Sequence, residues 1–248
     1  RSRKVQPLYQ PDYTYTCEGV AYFNSKPLPC IGGSVHGTID LAEAFAHSCN
    51  TFYATLGTKI KADQLIKAMD SLGFGKALEF ALPVNESEYG LQKDSSEEEV
   101  AATAIGQGKT EITPLLLNRI TAAVANGGKV YDNYLIDRVM NRDGSVKKQF
   151  LPGKPVQLLS EEEAAFLKEL MSGVTEYGTA SNLSGLGFPV YGKTGTAENA
   201  TDIDHSWFTG FAVPEEGSPI VITVLVEQSG GNVYASDIAG DILWTLLS

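Results

Sequence analysis

No run of 18 apolar residues occurs in the 248-residue sequence, and no charged, apolar, small-residue leader opens it. Nothing in these residues therefore reads as a membrane span or a secretory signal. Positive charge is scarce as well. Nineteen Lys and Arg stand against 30 Asp and Glu, for a formal net charge of -11 and a pI near 4.7. That balance argues against a nucleic-acid partner, because a phosphate backbone needs a basic face. The three cysteines are too few for a disulfide scaffold. Cys17 and Cys30 flank a Gly-, Asn- and Pro-bearing segment that a bridge could close in an oxidising compartment; two buried free thiols is the other reading, and Cys49 has no obvious partner. His36, His47 and His205 lack metal-ligand spacing and have no cysteine beside them except the distant-looking Cys49, so no metal site is expected and all three read as structural. No G-x-S-x-G elbow is present, since Gly32-Gly33-Ser34-Val35-His36 misses it by one residue, and Gly106-Gln107-Gly108 lacks the third glycine of a dinucleotide fingerprint. No cofactor is expected, and no internal repeat or low-complexity segment is visible.

With 43% hydrophobic residues the chain has enough apolar material for one full core. Its organising stretch is Tyr191-Gly192-Lys193-Thr194-Gly195-Thr196-Ala197-Glu198. Taken back to Gly187, it satisfies the phosphate-loop pattern G-x-x-x-x-G-K-[ST], which must open a helix at once. Turn-forming residues follow instead, up to Asp202, and then the aromatic and β-branched run Ser206–Val213. Val190–Ala197 and this run therefore read as neighbouring strands. Lys193, placed on an inner strand, should face a cleft where its charge meets an anion or a proton-transfer partner, because burying it unpaired is costly. Gly195 lets another backbone approach, and Thr194 and Thr196 offer hydroxyls on either side; such an edge can take an extended peptide as an added strand, with an N–H left for an oxyanion.

Elsewhere helices dominate. Arg1–Gln10 shows no periodic apolar pattern, and Pro11–Cys17 reads as extended. Asp40 caps a helix over Leu41–Ala46, and a second helical pattern follows Ser48-Cys49-Asn50 through Phe52, Leu56 and Ile60. Ala62–Leu72 ends at Gly73, and Ala77–Gly90 is irregular. Capping boxes at Ser96/Glu99 and Ser160/Glu163 open two further helices, the second running to about Glu176. Thr113-Pro114 starts a helix to Val124 that stops at Gly127-Gly128. Asn133–Met140 and Val146–Phe150 flank a hairpin turn. Strands at Val190–Ala197, Ser206–Val213 and Ile220–Glu227, with a closing helix from about Ser236 to Leu247, complete an α+β fold: an antiparallel sheet flanked by helices plus a helical subdomain. The last strand is almost continuously apolar, so it wants a neighbour along its edge that this chain does not supply.

Lys193-Thr194-Gly195 is the Lys-Thr-Gly element of penicillin-binding serine acyl-transferases, which pair it with a Ser-x-Asn box. Ser48-Cys49-Asn50 is such a box, at a helix junction where a hydroxyl relays a proton and an amide holds a carbonyl. Further matches are Cys17-Glu18-Gly19 with Cys30, His36-Gly37-Thr38-Ile39-Asp40-Leu41, Ile105-Gly106-Gln107-Gly108 with Thr113-Pro114-Leu115, and Ala125-Asn126-Gly127-Gly128. Gly173-Val174 with Gly178-Thr179-Ala180, and Trp207-Phe208 with Gly210-Phe211-Ala212, extend them. On these, nearly the whole chain resembles the transpeptidase domain of class B penicillin-binding proteins. The resemblance implies a peptidoglycan D,D-transpeptidase that cross-links D-Ala-D-Ala stem peptides through an acyl-serine, binds β-lactams, and works with cell-wall synthesis partners on the outer face of the bacterial membrane behind an N-terminal anchor. Carried over, Ser48 relays a proton, Asn50 binds substrate, and Lys193 supports both the proton network and the substrate carboxylate. Thr194 and Thr196 hold that carboxylate beside Gly195, and the Thr196 N–H joins the oxyanion hole.

One departure stands out. The family's nucleophile comes from a Ser-x-x-Lys motif upstream of the Ser-x-Asn box, and none stands there; Ser145-Val146-Lys147-Lys148 fits the pattern but reads as a solvated turn. The expectation is a partial transpeptidase domain over 1–248, helical over about 38–180, with sheet and terminal helix over about 186–248. It lacks the nucleophile, the first strands and the nucleophile helix, and is inactive alone. A catalytically silent penicillin-binding-like scaffold and a serine β-lactamase are the alternatives.

Overall fold

The structure is a computed structural model that describes residues 13–199, 201 and 203–248; the readings placed on Arg1–Gln10, on Pro11 and Asp12, and on positions 200 and 202 lie outside the described residues. Strand β1 (Tyr15–Cys17) is followed by the hairpin β2 (Val20–Phe23) and β3 (Lys26–Pro29), and then by β4 (Gly37–Ile39), which returns antiparallel to β1. The hairpin was hidden in the sequence by Pro27 and Pro29, which normally argue against a strand. It forms because Asn24 and Ser25 both adopt positive φ, 48° and 66°, the twist a two-residue turn needs.

Six helices and four short strands follow. Helices α1 (Leu41–Ala46), α2 (Asn50–Ile60), α3 (Ala62–Leu72), α4 (Glu97–Ala104) and α5 (Pro114–Ala125) precede β5 (Lys129–Val130), β6 (Arg138–Met140), β7 (Val146–Gln149) and β8 (Val156–Gln157), and α6 (Glu161–Glu176) closes the group. The caps fall where the polar residues dictate. Asp40, Ser96 and Ser160 each close a reciprocal capping box with a glutamate three residues on, and Thr113 accepts from the Leu116 N–H with Pro114 at the first helical position. The strand expected over Asn133–Met140 shrinks to Arg138–Met140, because its partner among the described residues, β7, reaches no further than Gln149 opposite Arg138.

The sheet is β9 (Val190–Ala197), β10 (His205–Ala212) and β11 (Ile220–Val226), all antiparallel in the order β11-β10-β9, before the terminal helix α7 (Ala235–Leu247). Alternation along β10 decides what each face covers. Phe208 and Ala212 pack with Ala235, Ala239 and Leu243 of α7, whereas Phe211 packs with Val124 of α5. On the α5 side a buried hydroxyl ladder runs from Thr121 to Thr209 (2.6 Å) to Thr223 (2.8 Å). Helix α6 lies against β9 and feeds both cores, Val174 on one side and Met171 on the other.

Among the described residues β11 pairs only with β10, so its outer edge carries open backbone groups on an Ile220–Val226 run that is half-buried throughout. Such an edge templates further strand addition. The 248-residue chain on its own should self-associate, read as concentration-dependent sedimentation; a monodisperse monomer with a high, cooperative melt would refute this.

Candidate active site

The site forms where the C-terminus of α1 meets β9. Helix α1 is closed by paired backbone bonds, Ser48 N–H to Phe45 O (3.3 Å) and Cys49 N–H to Ala44 O (2.9 Å), with Ser48 in the left-handed region at φ 53°. This closure normally places glycine where Ser48 stands, and a side chain there costs about 1–2 kcal/mol. The next residue, Cys49, drops into the core and caps α2, so the half-buried Ser48 and Asn50 flank a buried residue. Asn50 is anchored by Nδ2 donating to Pro29 O at 3.1 Å.

Opposite stands Lys193. Its Nζ donates to Ser48 Oγ and, at 2.9 Å, to Thr194 O, and it sits 5.6 Å from the centre of the Phe45 ring. Among the described residues the lysine lies on an edge strand, not the inner strand expected from sequence, because β9 ends the three-stranded sheet. Its ammonium is nevertheless taken from water by α1, and burial pushes its pKa down from 10.5 to about 8. The sign follows from linkage: between about 8 and 10.5 the folded state binds fewer protons than the unfolded chain, so this residue's contribution to stability rises with pH across that window, and below about 8 the burial penalty is present in full. A nuclear magnetic resonance titration of Lys193 should show a midpoint near 8; an ordinary lysine midpoint above 10 would mean the ammonium is hydrated.

The outer edge of β9 is defined by what already contacts it. Val190 O accepts from Thr175 Oγ1 at 2.5 Å, Thr194 O from Lys193, and Thr196 O from Gln107 Nε2 at 3.2 Å. In an antiparallel strand the N–H and C=O of one residue point the same way, so the Thr194 and Thr196 N–H groups face away from β10. Thr194 Oγ1 meets Thr179 Oγ1 at 2.5 Å, and Thr179 N–H donates to Ala46 O at 3.0 Å, which ties β9 to the end of α1. Gln107 and Thr179 had no role assigned from sequence; their only sequence signal was membership of the Gly106-Gln107-Gly108 and Gly178-Thr179-Ala180 motifs. Ser145 and Lys148, by contrast, are exposed in the β6–β7 hairpin, where the Ser145 hydroxyl donates to Asp143 Oδ1 at 2.6 Å.

Beneath Ser48 one open reading is decided and one sequence expectation is corrected. Cys17 and Cys30 are thiols with their sulfurs 3.8 Å apart, not a disulfide, and Cys49, which had no obvious partner, lies with its sulfur 3.9 Å from that of Cys30. His36, expected to have no cysteine beside it and no ligand role, places Nδ1 at 3.3 Å from Cys17 Sγ. These four side chains bring their ligand atoms within 4.8 Å of one another. Burial pushes both the Cys17 and Cys49 thiols up; hydrogen bonds with Thr51, His36 and Gly19 outweigh it at Cys17, giving about 6, whereas those with Thr51 and Phe52 do not at Cys49, which reaches about 12.

A serine-bearing helix junction facing a Lys-Thr-Gly-Thr sheet edge is the architecture of a serine acyl-transferase cleft. The chain matches the Penicillin binding protein transpeptidase domain over residues 7–247, and it belongs to that family. It is 31% identical over 231 residues to the peptidoglycan D,D-transpeptidase PbpA of Mycolicibacterium smegmatis, covering 91% of this chain and 45% of that protein. It is likewise 31% identical to stage V sporulation protein D of Bacillus subtilis, covering 91% of this chain and 37% of the relative. The chain thus spans under half the length of these curated relatives. Among solved structures, the D,D-transpeptidase domain of a peptidoglycan glycosyltransferase from Eggerthella lenta superposes with a TM-score of 0.85 at 27% identity, over 96% of this chain and 60% of that one. An imipenem acyl-enzyme complex of penicillin-binding protein A from M. tuberculosis matches with the same TM-score of 0.85 at 28% identity, over 96% and 55% of the two chains.

Proposed function

We propose that the protein carrying this chain is a peptidoglycan D,D-transpeptidase that cross-links stem peptides ending in D-Ala-D-Ala, and that these 248 residues build two walls of its cleft. The observation that carries the reading is the Lys193–Ser48 hydrogen bond, which joins the two boxes across 145 residues of sequence. With its pKa near 8, Lys193 exchanges a proton readily around neutrality, and Ser48 passes it toward the leaving group. Asn50 orients the substrate amide. The substrate peptide lies along the outer edge of β9, its carboxylate held by Thr194 and Thr196 and by the remaining positive charge of Lys193. The outward Thr196 N–H is placed to stabilise the oxyanion. Gln107 and Thr179 act as positioning residues that hold the strand at the right distance.

The acyl-accepting serine lies outside these residues, since no Ser-x-x-Lys stands upstream of Ser48. Cell-wall enzymes meet this substrate outside the cytoplasm, so the domain works there, held at the membrane by a segment not in this chain. No described helix is long and apolar enough to cross a membrane. The test is labelling of the intact protein with fluorescent penicillin. The wild type should label on one serine outside these residues, and Lys193→Ala should slow acylation at least about 100-fold, the usual scale of a lost proton-transfer group. Labelling at an undiminished rate would refute the role of Lys193, and absence of any labelling would refute the transpeptidase reading.

A further inference from the structure

The C-terminal end of β9 is charged in a way that the chemistry above does not use. Lys193 is the last cation of the sequence, since residues 194–248 hold eight Asp and Glu and no Lys or Arg. Three of these carboxylates stand at one end of the sheet. Strand β9 ends at Ala197 opposite His205, where β10 begins, and β11 ends at Val226 opposite Ser206, so Glu198, Asp204 and Glu227 each lie one residue beyond a strand at that end. Glu198 and Glu227 are exposed, and among the described residues none of the three is in a salt bridge.

The place of Glu198 on the substrate edge follows from the direction of the strand. With the terminal carboxylate at Thr194 and Thr196 and the scissile carbonyl at the Thr196 N–H, the donor peptide runs antiparallel to β9, and its preceding residues pass Ala197 and Glu198. At about 3.4 Å per residue, Glu198 stands roughly 7 Å beyond Thr196. A long side chain on the residue before D-Ala-D-Ala spans that distance. The connection that follows Glu198 is held at both ends. Asn199 Oδ1 accepts from the Thr201 N–H at 2.7 Å, and Asn199 Nδ2 donates to Ile203 O at 2.6 Å. His205 Nδ1 accepts from the Gln228 N–H at 2.9 Å, which ties the start of β10 to the turn after β11. A carboxylate carried on a fastened connection costs less ordering when a ligand arrives.

Cross-linking supplies the matching charge. An acyl-serine passes its acyl group to an amine, and stem peptides that are joined to one another must carry that amine themselves. D-Ala-D-Ala has no side-chain amine, so the amine lies upstream of it, and donor and acceptor stems share this chemistry. On the donor it is unreacted and, at neutral pH, an ammonium. The donor therefore presents a carboxylate at its end and an ammonium upstream, and β9 offers Lys193 and Glu198 in the same order. Resting on the transpeptidase reading above, we infer that Glu198 is a specificity-determining residue that receives the upstream ammonium of the donor stem peptide. Asp204 and Glu227 add to the negative field at that end of the cleft.

The test uses the intact protein and two penicillins, one whose acyl side chain is a linear ω-amino acid of lysine length and the same compound with its amine acetylated. The wild type should be acylated about two- to fivefold faster by the free amine, the range of an exposed charge pair. The preference should vanish in Glu198→Gln and reverse in Glu198→Lys. Each protein is scored by the ratio of its two rates, so a general loss of stability or activity cancels. At about 1 M salt, where the screening length falls to about 3 Å, the wild-type ratio should also approach one. Equal rates for the two compounds in the wild type, or a preference that Glu198→Gln retains, would overturn the inference while the acylation itself leaves the transpeptidase reading standing. A wild type that neither compound acylates would refute that reading, and this inference with it.

Discussion

Incubated for hours with a large excess of benzylpenicillin, the 248-residue chain should keep its unmodified mass. The candidate to break this expectation is Ser48, because its hydroxyl is already hydrogen-bonded to a lysine whose pKa is near 8. Two features of its surroundings argue against it. A nucleophilic serine needs N–H donors aimed about 3 Å from the reacting carbonyl oxygen, often including its own amide. Here the Ser48 and Cys49 N–H groups are both engaged in closing α1, on Phe45 O and Ala44 O, so neither is free to serve as an oxyanion donor for that hydroxyl. Moreover, Lys193 is roughly nine-tenths protonated at pH 7 given its pKa, and it acts as donor to both Ser48 and Thr194 O. Without a nucleophile, binding and oxyanion contacts leave no trapped ester. Intact-mass measurement followed by peptide mapping decides the point. An adduct on Ser48 would reassign the nucleophile to the Ser48–Lys193 pair, and one on Ser145 would overturn its reading as a solvated turn.

Gly178→Ala should be the most damaging single-methyl change near the cleft. A Cβ at Gly178 would stand 2.3 Å from Ala46 O and 2.9 Å from both the Ala46 carbonyl carbon and Val174 Cα, all of them backbone that cannot swing aside. The end of α6 and the end of α1 are joined at this point by Thr179 N–H to Ala46 O at 3.0 Å. Relief therefore requires the two helices to part, and α1 carries Ser48. Overpacking at such a contact costs about 3 kcal/mol, equivalent to roughly 6–12 °C in Tm for a domain of this size. Acylation of the intact protein should fall with it, since Ser48 moves away from Lys193. Gly185→Ala is the matched control: it has open space around it and should leave Tm within about 1 °C. Equal melting temperatures for the two variants would show that the α1–α6 contact is softer than its geometry indicates.

Much of the fold was legible in the chain because its signals are local. Asp40, Ser96, Thr113 and Ser160 place helix starts through hydrogen bonds that span three residues, and all four caps form as expected. Period-two runs rich in aromatic and β-branched residues likewise located β9, β10 and β11 to within a residue. The β2–β3 hairpin escaped notice because prolines at 27 and 29 overrode the turn signal of Asn24-Ser25. Asn133–Asp137 was overextended as strand because alternation says nothing of how long the partner is.

The residue types of the cleft were likewise present in order along the chain: Ser48 and Asn50 at a helix junction, then Lys193 to Thr196 on a strand. What the sequence by itself determined is therefore the class of fold and the inventory of reactive groups, since propensity, capping and motif each act over a few residues. Only the tertiary structure decided that Lys193 reaches Ser48, that Gln107 and Thr179 fasten the edge of β9, and that Cys49, which had no obvious partner, shares one buried cluster with Cys17, Cys30 and His36. Those contacts join residues 13 to 145 positions apart. No periodicity encodes them, because they arise where separately formed helices and strands bury their apolar faces together and carry polar side chains into the same small volume.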